Sequence, residues 1–179
     1  MTLLFTDEEK VCLKENLEYV ICLFYDAHEE LKKYCSGLSE DLLSTYFEYS
    51  YERIIFFSPK GAKDTYHNYY CFVFATIMKN IFPEFKFYAR FDEEHVALGD
   101  SDYIFDICGI YKKQNGEFRD IEGALYFDVT NDEDFLFDLN HYFSKLHRDL
   151  ENKLGELFYS KVRNFLESKM ISNKQKVKH

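Results

Sequence analysis

Three residues in the middle of the chain have types that could do chemistry together: Cys71, His95 and Asp106, in that order. A thiolate is a strong nucleophile, an imidazole can take up and return a proton, and a carboxylate beside the imidazole fixes its tautomer and stabilises the imidazolium. The trio works only if its members stand within hydrogen-bond reach of one another. Elements on either side must therefore bring together residues that are distant along the chain.

Cys71 stands where a loop enters an apolar pattern, Val73, Phe74, Ile77, Met78 and Ile81, whose spacing predicts a helix. That helix must stop ahead of Pro83, because proline disfavours a helical predecessor. A helix amino terminus favours thiolate over thiol, and the backbone N–H of Cys71 can face a developing oxyanion. Ala75, one turn below, allows the helix to lie close on a sheet. His67, Asn68 and Tyr70, just ahead of the cysteine, are the candidates for oxyanion or substrate contacts.

The stretch from His95 to Ile107 reads as a hairpin about the polar turn Gly99 to Asp102. With Asp100 and Ser101 at the tip, Gly99 faces Asp102, Ala97 faces Ile104 and His95 faces Asp106, directly across the strands. The same parity gathers Val96, Leu98, Tyr103, Phe105 and Ile107 on the opposite face as a core set.

Around this centre, Thr6 and Glu9 form a capping box for a first long helix that ends at Gly37. Ser39 caps a second helix through Phe47, Arg53 to Phe57 reads as extended, and a loop after Pro59 and Gly61 leads to Cys71. Further strands are expected over Phe85–Phe91, Ile110–Lys113, Phe118–Ile121 and Ala124–Val129, with a hairpin turn at Asn115-Gly116. Beyond the acidic run Asp128 to Asp134, which caps a helix and lacks the spacing of a calcium loop, one apolar stripe runs from Leu139 to Leu166. That stripe, on a helix of residues 135 to 170, is either core or a seam for a second copy of the chain. The expected fold is α+β: a central antiparallel sheet of about four to six strands packed on the Cys71 helix, with long N-terminal and C-terminal helices. Residues 1–171 read as one domain and 172–179 as a disordered basic tail.

The remaining chemistry-bearing residues read as structural. Cys12, Cys22, Cys35, Cys71 and Cys108 are an odd set with no CxxC pair, so neither a disulfide framework nor a zinc site is indicated, and no metal or cofactor is expected. Cys22, inside the run Val20 to Phe24, reads as a small buried hydrophobe, and His28 among Asp26, Glu29 and Glu30 as part of a solvated face. His141 and His147 do not share a helix face. Acidic residues outnumber basic ones, 32 against 22, which argues against nucleic acid and for a basic protein or peptide as substrate or partner. With no membrane-spanning run and no targeting segment, a cytoplasmic location is expected.

A cysteine opening a helix with a small residue four positions on, then a strand carrying histidine, then one carrying aspartate, resembles the papain-like superfamily, and its transglutaminase-like and bacterial amidase branches most closely. The residues that carry the resemblance are Cys71-Phe72-Val73-Phe74-Ala75, His95-Val96-Ala97-Leu98 and Tyr103-Ile104-Phe105-Asp106. It implies Cys71 as nucleophile, His95 as general base and acid and Asp106 as orienting carboxylate, in a hydrolase or acyl transferase acting on an amide, peptide or isopeptide bond. The chain departs from the pattern in placing Tyr69 and Tyr70, not a small residue, ahead of the cysteine. That departure, the acidity, and 15 tyrosines and 19 phenylalanines suit a second reading. In it the same scaffold is a non-catalytic binding protein: an inhibitor, an immunity protein or a phage-type counter-defence protein.

Overall fold

The computed structural model describes residues 5–68, 70–90, 95–120, 123–135 and 146–176. Its first helix, α1 (Asp7–Glu15), starts on the expected capping box: Glu9 N–H donates to Thr6 Oγ1 at 3.2 Å, and Thr6 N–H to the Glu9 carboxylate at 2.8 Å. The single long helix expected up to Gly37 is instead broken at Asn16, and α2 runs Leu17–Ser36. Asn16 has φ −118° and its side-chain amide donates to Cys12 O at 2.7 Å, a local bond that competes with the helical ladder. The buried face of α2 comprises Leu17, Val20, Ile21, Leu23, Phe24, Ala27, His28, Leu31 and Cys35. His28 thus belongs to the core and not to a solvated face, whereas Cys22 points outward and is exposed. Helical periodicity decides both positions against their local sequence context.

Ser39 caps α3 (Glu40–Tyr46) through its hydroxyl, as expected. The stretch expected to be extended, Arg53 to Phe57, lies mostly in a helix, α4 (Ser50–Phe56). Glu52 accepts from Tyr49 N–H at its start, Arg53 forks onto Glu40 of α3, and Phe56 is fully buried. A short apolar run does not by itself distinguish strand from helix. The presumed loop before Cys71 also contains a helix, α5 (Ala62–Asn68), pinned by Thr65 Oγ1 donating to Ile55 O and Gly61 O. Next comes α6 (Cys71–Lys79).

Among the described residues the six strands are β1 (Lys86–Arg90), β2 (His95–Gly99), β3 (Tyr103–Asp106), β4 (Gly109–Lys112), β5 (Phe118–Arg119) and β6 (Leu125–Asp128). All pairings are antiparallel, in the order β4-β3-β2-β1-β6-β5, and the outer strands β4 and β5 approach each other so that the sheet nearly closes. The predicted Asn115-Gly116 turn forms, with φ 52° and 86°, the double positive φ that asparagine and glycine tolerate best.

The β2–β3 register differs from the expected one. Gly99 faces Ile104 and Leu98 faces Phe105, so every pairing slips by two residues and Asp106 lies across from Ala97. The cause is Asp100, whose carboxylate accepts from the N–H groups of Asp102 and Tyr103 and so sits at the first position of the turn. A slip of two preserves which face each side chain takes. Val96, Leu98, Phe105 and Ile107 therefore still join the main core, where α6 lies against β2 and β3. Gly99 has no room for a side chain, since a Cβ would meet Tyr103 O at 2.2 Å and Ile104 Cα at 2.6 Å.

Asp132 accepts from Phe135 N–H at the start of a helical turn. The expected stripe residues Leu139 and Phe143 lie outside the described residues, as does His141. The final helix, α7 (Arg148–Lys176), buries Leu150, Leu154, Phe158, Val162 and Leu166 and packs along α2, so this stripe covers the chain's own core. The helical backbone runs on to Lys176. Among the described residues no helix is long and apolar enough to cross a membrane.

Candidate active site

Cys71 opens α6, His95 opens β2, and Asp106 closes β3 at the two-residue turn into β4. The last turn of α5 lies against the His95 end of the sheet, where the His67 carbonyl meets the imidazole. His95 Nε2 is 2.7 Å from Asp106 Oδ2, and Nδ1 is 3.0 Å from the carbonyl oxygen of His67. The Cys71 side chain lies near enough to the ring to favour its charged form. The diagonal position of His95 and Asp106 leaves the imidazole and carboxylate in contact, although they do not face each other directly.

The two oxygens bonded to the ring, His67 O and Asp106 Oδ2, have no proton to give, so the ring donates from both nitrogens, which is the imidazolium form. Burial disfavours that charge, but the hydrogen bond to Asp106, the nearby Cys71 side chain and the charge of Asp106 outweigh it and raise the His95 pKa to about 9. For Asp106 the corresponding balance lies below the ordinary carboxylate value: burial pushes up, while His95, Cys108 N–H and Tyr111 hold the anion more strongly.

Asp106 is the most heavily bonded side chain of the site. Its Oδ1 accepts from Cys108 N–H at 2.7 Å, Gly109 N–H at 3.1 Å and Tyr111 OH at 3.1 Å, and Tyr126 OH stands 3.4 Å from Oδ2. The two backbone donors belong to the β3–β4 turn, so the carboxylate caps the turn and orients the imidazole at once. The face of the sheet that carries His95 and Asp106 is not solvent-facing. Tyr88, Ala97, Ile104, Phe118 and Tyr126 form a second small core there, with Tyr111 packed against it.

His67, a candidate for oxyanion or substrate contact, is close by: its ring centroid is 4.3 Å from that of His95 and it lines a small cavity of about 220 Å³ with Lys60, Lys63 and Asp64. Tyr70, another of these candidates, is 2% exposed and packs in the core with its ring 6.1 Å from that of Tyr66. Asn68 ends α5; its side chain, like all of Tyr69, lies outside the described residues. Cys71 itself is 5% exposed, and His95 and Asp106 are each 1% exposed. Larger clefts lie elsewhere, one of about 590 Å³ beside Lys86, Tyr88 and Asp128 and one of about 520 Å³ beside Asn80, Glu151 and Tyr159. Neither is lined by Cys71, His95 or Asp106.

Sequence reasoning missed Tyr111, Tyr126 and Cys108 as neighbours of Asp106. Tyr111 was discoverable, since a two-residue turn after Asp106 returns it to the same face. Tyr126 was not, because its approach depends on β6 adding to the far edge of β1. No family model, curated protein or solved structure matches this chain.

Proposed function

We propose that this protein is a thiol hydrolase or acyl transferase with a papain-like arrangement, cleaving an amide, peptide or isopeptide bond through Cys71, His95 and Asp106. The observation that carries the reading is a helix-start cysteine beside an imidazole whose Nε2 is 2.7 Å from a buried carboxylate. The imidazolium offers the Cys71 thiolate a counter-ion. The sulfur adds to the substrate carbonyl carbon, the carbonyl oxygen takes the negative charge, and backbone N–H groups at the start of α6 are placed to receive it. His95 then gives its proton to the leaving amine as the C–N bond breaks, and a thioester remains. Water or a second amine, deprotonated by His95, attacks that thioester and releases the thiolate. A cytoplasmic setting and a basic protein or peptide substrate, suited to a net charge of −10, belong to the same proposal.

The test is limiting iodoacetamide followed by peptide mapping. Cys71, though buried, should be alkylated faster than the exposed Cys22, and His95→Ala should remove that advantage. Alkylation of Cys71 no faster than that of Cys22 would overturn the reading.

One observation favours the alternative of a non-catalytic binding protein on this scaffold. Ile54 is 72% exposed, and the stacked pair Tyr49–Tyr51, each about half exposed, lies on the same helical segment. In that case Cys71→Ala would leave the protein's biological effect intact, while Ile54→Asp would abolish it.

A further inference from the structure

His67, Asp106 and Cys108 each offer one donor atom, and these three atoms lie within 4.8 Å of one another. We propose that they form a binding site for a thiophilic divalent cation of the zinc class, whose occupancy switches off the neighbouring thiol. The second half of this proposal rests on the hydrolase reading above; the first does not. An imidazole nitrogen, a carboxylate oxygen and a thiolate sulfur are the donor set that zinc takes in tetrahedral sites, with a fourth position left for water. Ligands on one tetrahedral ion stand about 3.3–3.8 Å apart, so the donors need to close by no more than about 1.5 Å.

The surroundings favour such a site. Asp106 is fixed by Cys108 N–H, Gly109 N–H and Tyr111 OH, the kind of outer hydrogen bonding that orients metal-binding carboxylates. Asp106 precedes a two-residue turn of which Cys108 is the second residue, which holds two of the three donors on a short piece of backbone. His67 is partly exposed and lines the cavity of about 220 Å³, which gives an ion an access path; Asp64 on that wall attracts it, and Lys60 and Lys63 oppose it. The consequence for the site follows from the shared carboxylate. An ion that takes an oxygen of Asp106 competes with the hydrogen bond from His95 Nε2, so the imidazole loses the partner that orients it beside Cys71.

The experiment uses chelator-treated full-length protein in a Cys12→Ser, Cys22→Ser background, titrated with Co²⁺. One equivalent should give the intense near-ultraviolet charge-transfer band of a cobalt–thiolate bond. Cys71→Ala should keep the band, whereas Cys108→Ser should abolish it and His67→Ala should weaken binding at least tenfold. No band, or a band that survives Cys108→Ser, overturns the metal site. Zn²⁺ should slow iodoacetamide alkylation of Cys71 at least tenfold in the parent and leave it unchanged in Cys108→Ser. Equal rates with and without Zn²⁺ at saturation, or a rate that rises with Zn²⁺, overturn the switch. Because the cobalt band is read without any reaction of Cys71, failure of the hydrolase reading and failure of the metal site are separable.

Discussion

His95 Nε2 donates to Asp106 Oδ2 at 2.7 Å with both side chains 1% exposed, which makes this a sealed ion pair. The opposite ring nitrogen, 3.0 Å from His67 O, can satisfy that carbonyl only as a donor. The pair is therefore built for the cationic ring. A protein that buries a positive imidazole beside its carboxylate must lose stability when the ring is forced to give up its proton.

The first prediction is the pH window of that loss. The His95 pKa is raised from 6.5 to about 9 in the folded chain. Its contribution is fully present below pH 6.5 and disappears as pH rises through about 9, because there the folded state must release a proton that the unfolded state has already lost. A shift of this size corresponds to about 3 kcal/mol. Urea midpoints should fall between pH 6.5 and 9, and His95→Gln should flatten that limb of the profile.

Removing the carboxylate should be more damaging than removing its charge. Asp106→Ala leaves His95, Cys108 N–H, Gly109 N–H and Tyr111 OH without their shared acceptor. Breaking a buried pair in this way costs about 3–5 kcal/mol. Asp106→Asn keeps an oxygen for the turn and should cost less, about 1–3 kcal/mol. In Asp106→Asn the burial of the ring is no longer outweighed by a charge, so the His95 proton, followed by NMR, should titrate at or below its ordinary value. A His95 pKa that stayed near 9 would remove Asp106 from the account.

Gly99 sets the geometry of the hairpin on which the pair depends. A Cβ there would overlap Tyr103 O at 2.2 Å and Ile104 Cα at 2.6 Å, which are backbone atoms that cannot swing aside. Gly99→Ala should destabilise by about 1–3 kcal/mol or more. The damage should be local, with amide exchange of β2 and β3 rising before that of α2.

The contact between His95 and Asp106 was legible in the sequence, because alternation along β2 and β3 assigns faces whatever the register. The register itself was misread by two residues, since the choice between Asp100 and Ser101 as first tip residue turned on one carboxylate accepting two backbone N–H groups. Long, strongly periodic segments such as α2, α6 and α7 were legible as helix; their interruptions were not. The break at Asn16 comes from one side-chain amide, and α4 and α5 are too short for periodicity to identify. The second core around Tyr126 needed the strand order, which spacing along the chain does not encode.

His28 shows the same point in a form that stability measurements can read. It lies 0% exposed on α2, its Nδ1 is 3.2 Å from Tyr66 OH, and its Nε2 has no hydrogen-bond partner among the described residues. Burial, with Lys32 adding, lowers its pKa from 6.5 to about 3. The folded state thus holds the ring neutral, its stability is fully present above pH 6.5, and it is lost as pH falls toward 3 because the unfolded chain takes up a proton that the folded chain refuses. This is the mirror image of His95, so the two together place the stability maximum close to pH 6.5. His28→Leu removes the acid-sensitive group but leaves Tyr66 OH without its partner, so it should cost about 1–2 kcal/mol at pH 7. At pH 5 that deficit should shrink or reverse, because only the parent protein then has to keep a proton off a buried imidazole. Urea unfolding of both proteins at the two pH values measures the crossing, and parallel profiles would show that His28 is not held neutral.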